Sequence, residues 1–453
     1  MVGRSNRGVN PLLQKGFAPN STRGSIVAKA MVDRESSPSP NLSHAKGVQR
    51  RRPPVFLSAM PPARPSVGEI FLAALRLGCT SFGGPIAHLG YFHKEYVERR
   101  KWIDEERYAD LVALCQFLPG PASSQVGFSI GLLLRGMAGG LAAWAGFTLP
   151  SAILMTGFAY GVTALGDVSH AGWLQGLKVA AVAVVAQAVI LMWRNLCPDL
   201  PRSAIAAAMA GLLLLVPDAW GQIAAIALGA AGGWLWLKPG ATVAGASLDR
   251  GRPHSGLPWL LLFFGLLLVL PALVRVAPAP CLAIADKFYR AGALVFGGGH
   301  TVLPLLEREV VTPGWLTHDQ FLAGYGAAQA VPGPLFTFAA YLGAVMRVGP
   351  GGWLGGAWAL LWMFIPALVI VLGVLPYWQK VRALPAAQAA LRGANAAVVG
   401  VLLSALINPI ALTGLTGWRH AAIAAAAFAA LQFTKTPAWL LVVTCAGLGA
   451  LFL

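Results

Sequence analysis

Charge is scarce in this chain, and acid is scarcer than base. Only 11% of the 453 residues are charged, with 17 acids against 34 bases. At 57% hydrophobic residues and a mean hydropathy of +0.65, the chain beyond about residue 60 has too little charged surface for a water-soluble globule. Cysteine is sparse as well: Cys79, Cys115, Cys197, Cys281 and Cys445 show no CxxC spacing. That suggests neither a disulfide framework nor a metal site, and leaves them as small packing residues. No Walker loop, HExxH, GxSxG or cofactor fingerprint occurs, so a nucleotide-driven pump or an enzyme is not expected, and no cofactor is implied. Nothing alternates over about ten residues between turns, which disfavours a transmembrane barrel.

Long apolar runs are plentiful. A hydrocarbon core of about 30 Å needs about 20 apolar residues per helix, and stretches of that kind lie at 136–163, 170–194, 203–217, 219–238, 257–275, 351–376, 384–407, 418–433 and 436–453. The expectation is an all-α polytopic membrane protein. Eleven of the 34 Lys and Arg fall in the first 66 residues. That Ser-, Pro- and Arg-rich tail, 1–61, lacks apolar periodicity and the h-region of a signal peptide, and reads as disordered. Arg50, Arg51 and Arg52 suit a cytoplasmic anchor at the lipid surface better than a nucleic-acid patch, and Met60 offers a second start.

One stretch occurs twice. Phe82-Gly83-Gly84-Pro85, Lys94-Glu95, Trp102, Gln116 and Pro119-Gly120-Pro121 return as Phe296-Gly297-Gly298, Arg308-Glu309, Trp315, Gln329 and Pro332-Gly333-Pro334. The offset is 214 at Phe82 and 213 from Trp102 onward. Arg76 meets Arg290, and Lys178 meets Arg392, in the same register. Two long copies mean a duplication rather than a solenoid. The repeats are set at 62–238 and 277–453, with a linker at 239–276 that carries one connecting helix.

In each copy Gly and Pro interrupt helices too short to span, at Pro85 and at Pro119-Gly120-Pro121, then at Pro332-Gly333-Pro334. Such paired breaks point to re-entrant hairpins around a transporter's binding site. The competing explanation is close helix packing through small residues. Lys94, Arg99, Arg100, Lys101 and Arg107 mark one loop as cytoplasmic. The unpaired helix 257–275 then turns the second copy over. In agreement, the turn from Val310 to Gln320 has lost the basic cluster, and only Arg275, Arg308, Arg347 and Arg419 fall on the outer side. The two halves are expected to be inverted repeats, with the N-terminus cytoplasmic.

Outside the loops the cations are Arg76, Lys178, Lys287, Arg290 and Arg392, and the acids at comparable depth are Glu95, Glu309, Asp110 and Asp286. An excess of intramembrane cation argues for an anionic substrate. Arginine suits tetrahedral oxyanions, and helix N-termini after the breaks add free N–H groups. The expected substrate-binding residues are Arg76, Arg290, Lys178, Arg392, Gly83, Gly84, Gly297, Gly298, Gln116 and Gln329. Snorkelling or ion pairing with acids is the other role open to the cations. Glu95 and Glu309 could carry protons or could sit in structural ion pairs. His88, His93, His300 and His318 show no repeated spacing, since His93 aligns with Glu307, and are taken as ordinary polar residues.

At the FGGP and PGP signatures, at Leu77-Gly78-Cys79-Thr80-Ser81, at Trp102-Ile103 and at Val302-Leu303-Pro304-Leu305, the sequence resembles the chromate ion transporter family, long-chain two-half type, from about residue 62 onward. The resemblance implies export of chromate through the bacterial inner (plasma) membrane, driven by the proton-motive force and conferring chromate resistance. The long basic tail departs from the family pattern, and so does Ala122-Ser123, where an acidic residue is expected. Expected partners are chromate or sulfate, protons and membrane lipid; a homodimer is an allowed assembly, and nucleic acid is not involved. The alternatives are a sulfate or other oxyanion transporter or exchanger, a passive anion channel, and a membrane scaffold.

Overall fold

Helix starts in the two repeats use the same device at the same place. Asp104 accepts from the Arg107 N–H, and Thr317, at the aligned position, accepts from the Gln320 N–H. Each satisfies one of the free donors that open a helix. Ser66 does so upstream, where the Glu69 carboxylate returns a bond to the Ser66 N–H. The stops also match. Leu118 and Val331, each followed by proline, are extended, as a residue before proline must be. Gly120 and Gly333 then take φ of 118° and 98°, a region that side chains rarely adopt.

The computed structural model describes residues 65–165, 171–216, 219–237, 255–296, 301–434 and 436–453. The basic tail, most of the linker before residue 255, and Lys238, Arg250, Arg252 and Lys435 lie outside the described residues. The first repeat runs α1 (Val67–Thr80), α2 (Gly84–Phe92, continuing as a π-helical His93–Arg99), α3 (Glu105–Phe117), α4 (Ala122–Ala164), α5 (Gly172–Leu196), α6 (Leu200–Leu215) and α7 (Ala219–Trp236). After α8 (Leu257–Val276) the second repeat gives α9 (Pro280–Ala293), α10 (Val302–Val310), α11 (His318–Ala330), α12 (Phe338–Val345) and α13 (Gly352–Val374). It continues with α14 (Trp378–Arg382), α15 (Pro385–Ala405), α16 (Leu412–Gly414), α17 (Trp418–Phe433) and α18 (Ala438–Phe452). Among the described residues there is no strand.

The 43-residue α4 is two helices. Its backbone leaves helical geometry at Arg135 (φ −141°, ψ 27°) and Gly136 (φ 62°, ψ −154°). Gly131 then faces Gly139, and Gly140 faces Phe128, a proximity that only a reversal of direction allows. In the second repeat α12 and α13 pack in the same way through Gly343 and Gly355. Within each repeat the first helix lies close against this hairpin, with Gly78 on Phe147 and Gly292 on Met363.

The last two helices of each repeat pack on the other repeat. On α5, Gly172 and Gly176 meet Gly449 and Cys445 of α18; on α15, Gly393 and Ala397 meet Gly233 and Gly229 of α7. Gly400 of α15 meets Ala206 of α6, and Gln187 of α5 donates to the Leu431 carbonyl of α17 at 2.8 Å. The halves are thus interlocked by exchanged hairpins, through small residues that let backbones touch. Helix α8 has no counterpart and buries only Phe263 and Leu270, while Leu261, Phe264 and Leu268 face outward. Among the described residues five helices are long and apolar enough to cross a membrane: Ala122–Ala164, Gly172–Leu196, Leu257–Val276, Gly352–Val381 and Pro385–Gly414.

A methyl group on Gly393 would meet the Gly229 carbonyl and the Gly233 backbone, whereas one on Gly447 of α18 meets nothing within 4 Å. Overpacking of this kind costs about 1–3 kcal/mol. Gly393→Ala should therefore lower the unfolding temperature of the detergent-solubilised protein, and Gly447→Ala should leave it unchanged.

Candidate functional site

The breaks of the two repeats cross. The Gly120 N–H donates to the Val295 carbonyl at 2.7 Å, and the Gly333 N–H donates to the Ser81 carbonyl at 2.8 Å. Val295 and Ser81 are aligned residues just ahead of Phe296-Gly297-Gly298 and Phe82-Gly83-Gly84. Each Pro-Gly-Pro turn therefore rests on the other repeat's glycine break. Its second wall also comes from across the molecule: a methyl on Gly120 would lie 2.9 Å from Ala367 Cβ, and one on Gly333 would lie 2.8 Å from Ser151 Oγ. Ala367 and Ser151 each follow the proline inside a long helix, Pro366 in α13 and Pro150 in α4.

A cavity of about 120 Å³ opens at one crossing, lined by Gly83, Gly84 and Pro85 of the first break, Gln329 and Gly333 of the second, and Gln187 of α5. The N-terminus of α2 begins on its wall, with Gly83 at φ 100° and no side-chain cap. The Gln329 amide nitrogen is buried without a hydrogen-bond partner, and so are Ser81 Oγ, Ser124 Oγ and Gln125 Oε1 around the crossings. Uncommitted polar atoms in so apolar a protein suit a polar occupant. Gly297, Gly298 and His300 lie outside the described residues. Gln116, the counterpart of Gln329, is exposed at the end of α3.

The charged residues are placed differently from one repeat to the next. Arg76 is exposed on α1 and has no ion-pair partner among the described residues, whereas its counterpart Arg290 holds Asp286 at 2.8 Å and Glu309 at 3.4 Å. Lys178 is buried and pairs with Asp319 at 2.9 Å; Arg392 is half-buried on α15 and acts electrostatically on Asp199. Glu309 is also bound by Lys287 at 2.9 Å, and Glu95 by Arg99 at 2.8 Å and Arg100 at 2.6 Å. Both sites end on the repeated tryptophan: Arg100 lies 4.5 Å over Trp102, and Lys287 lies 5.0 Å over Trp315.

The expected excess of intramembrane cation is not what the fold buries. Among the described residues Glu95, Asp110, Asp286, Glu307 and Glu309 are buried, and Lys178 is the one cation buried to the same degree. Long basic side chains reach outward while short acids stay in place. Sequence reasoning missed Glu307. It lies 2.8 Å from His318 Nδ1, and His318 Nε2 lies 2.7 Å from Thr413 Oγ1.

The fold and this crossing define a multi-pass membrane protein whose duplicated halves meet at paired helix breaks. The family described as "Chromate transporter" matches residues 68–234 and again 282–450, so the chain belongs to the chromate transporter family, a family of transporters rather than enzymes. It is 28% identical to a "Probable chromate transport protein" of Synechococcus elongatus over 350 residues, 74% of this chain and 82% of that one. To a "Chromate transport protein" of Pseudomonas aeruginosa it is 27% identical over 369 residues, 77% of this chain and 82% of that one. An "Uncharacterized transporter YwrA" of Bacillus subtilis matches at 30% identity over 161 residues, 34% of this chain but 88% of its own length. No solved structure matches the chain.

Burial raises the Glu95 carboxyl, but hydrogen bonds from Arg100 and Arg99 outweigh it and hold the group below the usual carboxylate range. Its contribution to stability is therefore present above that range and lost as pH falls through the lowered value. His93 is shifted the other way, upward, by its hydrogen bond to Glu105. Its contribution is present at acid pH and fades as pH rises through the raised value. Thermal unfolding followed from about pH 5 down to 3 should show a steeper loss for the wild type than for Glu95→Gln.

Proposed function

We propose that this protein carries chromate out of the cytoplasm across the bacterial inner membrane, as a secondary transporter coupled to the proton-motive force, and so confers chromate resistance. The observation that carries the reading is the pair of crossed breaks with a cavity at one of them, lined in part by Gly83, Gly84 and Gln329. Backbone N–H groups of Gly83 and Gly84 and the free amide of Gln329 are the donors an oxyanion needs there, and relatives along most of the chain are named chromate transport proteins. Gln116, Gly297 and Gly298 are the counterparts of these donors by register. Arg76, which has no acidic partner among the described residues, draws the dianion in at one end; Arg290 does so at the other, with Lys178 and Arg392 further along α5 and α15. The halves are inverted, the basic turn around Lys101 lying in the cytoplasm and the neutral turn around Thr312 outside. They rock against each other so that one crossing loosens as the other tightens. Sulfate, of the same charge and shape, is the second oxyanion the cavity suits.

Uptake of labelled chromate into proteoliposomes, with and without an imposed pH gradient and with sulfate as competitor, tests this reading. A gradient-stimulated flux is expected; a flux indifferent to the gradient indicates a channel, and no flux removes chromate as the substrate. A hydrogen bond to a charged group is worth about 1.5–3 kcal/mol, so Gln329→Ala should raise the half-saturating chromate concentration about tenfold or more. Arg76→Ala and Arg290→Ala should each abolish transport without loss of expression. Orientation is checked separately: cysteines at Lys101 and Thr312 should react with an impermeant reagent from opposite faces of the membrane, and labelling from one face removes the inverted arrangement.

A further inference from the structure

A second polar pair recurs in both repeats with its residue types exchanged. His93 and Glu307 occupy one aligned position, and Glu105 and His318 the other. Read as single histidines they have no common spacing; in the fold each histidine finds the glutamate of its own repeat. His93 Nε2 lies 2.6 Å from Glu105 Oε2, and His318 Nδ1 lies 2.8 Å from Glu307 Oε1. Both pairs tie the end of the second segment to the first turn of the third helix, across the turn that holds Trp102 or Trp315.

The two differ in access to water. In the first repeat the histidine and glutamate side chains are 29% and 70% exposed; in the second they are 20% and 6% exposed. A buried carboxylate is stable only when paired or protonated. The partner within ion-pair distance of Glu307 is His318, at 2.8 Å, and Glu307 Oε1 is buried and has no hydrogen-bond partner among the described residues. Other charged groups lie close to the pair in sequence or in space. Asp319 is engaged by Lys178, His420 lies within electrostatic reach of Lys178, and Arg308 follows Glu307 in sequence. The exposed pair has a second carboxylate, Glu98, 3.3 Å from His93 Nδ1, and Tyr108 packs edge-on against the ring.

We propose that His93/Glu105 and Glu307/His318 are two repeat-related proton-binding sites, one open and one occluded in this conformation, which exchange access as the halves alternate. This rests on the transport reading above and names the groups that carry its proton. Protonation of the occluded pair fixes the turn between α10 and α11, and its release frees that turn to move. Glu95 and Glu309, each held by two cations, then serve to anchor the basic side chains over the tryptophans.

The readout is the ratio of chromate flux with a pH gradient to flux without one, in proteoliposomes. Glu307→Gln and His318→Gln should each bring that ratio from well above one to near one, a loss of about tenfold in coupling. Restoring the pair in the order of the first repeat, Glu307→His with His318→Glu, should recover it. Full stimulation retained in both single variants overturns the proposal. A second measurement needs no chromate. In protein with Cys79 and Cys281 replaced by serine and a cysteine at Thr312, the alkylation rate, divided by that of a free thiol at the same pH because the thiolate is the reacting form, should change between about pH 5 and 8, and Glu307→Gln should flatten that profile. A profile already flat without Glu307→Gln overturns the proton site even where chromate moves, whereas a pH-dependent profile without chromate flux overturns the substrate instead.

Discussion

Two backbone hydrogen bonds, from Gly120 to Val295 and from Gly333 to Ser81, set the conditions for the rest of this molecule. Proline and glycine stop the helices on which they fall, and stopped helices in apolar surroundings leave peptide groups that must find partners. Here each repeat provides what the other's turn lacks. Neither break can shift alone, because its donor is bound to a carbonyl in the opposite half. That mutual dependence is what a carrier needs if opening at one end is to close the other, and it comes from the backbone before any charged side chain is considered.

The charged groups repeat in position more faithfully than in identity. A glutamate, a cation and a tryptophan stand together in both halves, yet the cation over Trp102 is Arg100 from the neighbouring turn, while the one over Trp315 is Lys287 from α9. The histidine–glutamate pairs go further and trade places outright. Selection on a duplicated pair acts on the contact rather than on which partner supplies which end, so the two halves can drift apart in sequence while keeping the same interaction.

Much of the fold is legible in the sequence because its determinants are local. Leu118 and Val331 are extended since prolines follow them, and Gly120 and Gly333 turn because only glycine does so freely; neither effect needs knowledge of the far half. Helix ends at Asp104 and Thr317 are equally local. The candidate site is less legible. Gln116 and Gln329 look equivalent by register, but Gln329 lines a cavity whose other walls come from α2 and α5, whereas Gln116 is exposed at the end of α3. Arg76 and Arg290 also share a register; the acid that separates their surroundings, Asp286, replaces an apolar residue of α1. The excess of buried cation failed for a related reason: sequence depth says where a residue lies along a helix and not which way a long side chain leans. The exchange of terminal hairpins is not legible in the sequence, since a glycine on α5 or α15 marks a close helix contact without saying which helix makes it.

That exchange has a bearing on how the chain is made. Helix α5 leaves the ribosome well before α18, which carries the surface that covers Gly172 and Gly176. Through most of translation the first repeat therefore waits with one flank open to lipid, its own closing pair, α6 and α7, held ready for α15, which is not yet made. Membrane insertion of the early helices and their docking become separate events, the second waiting on α18.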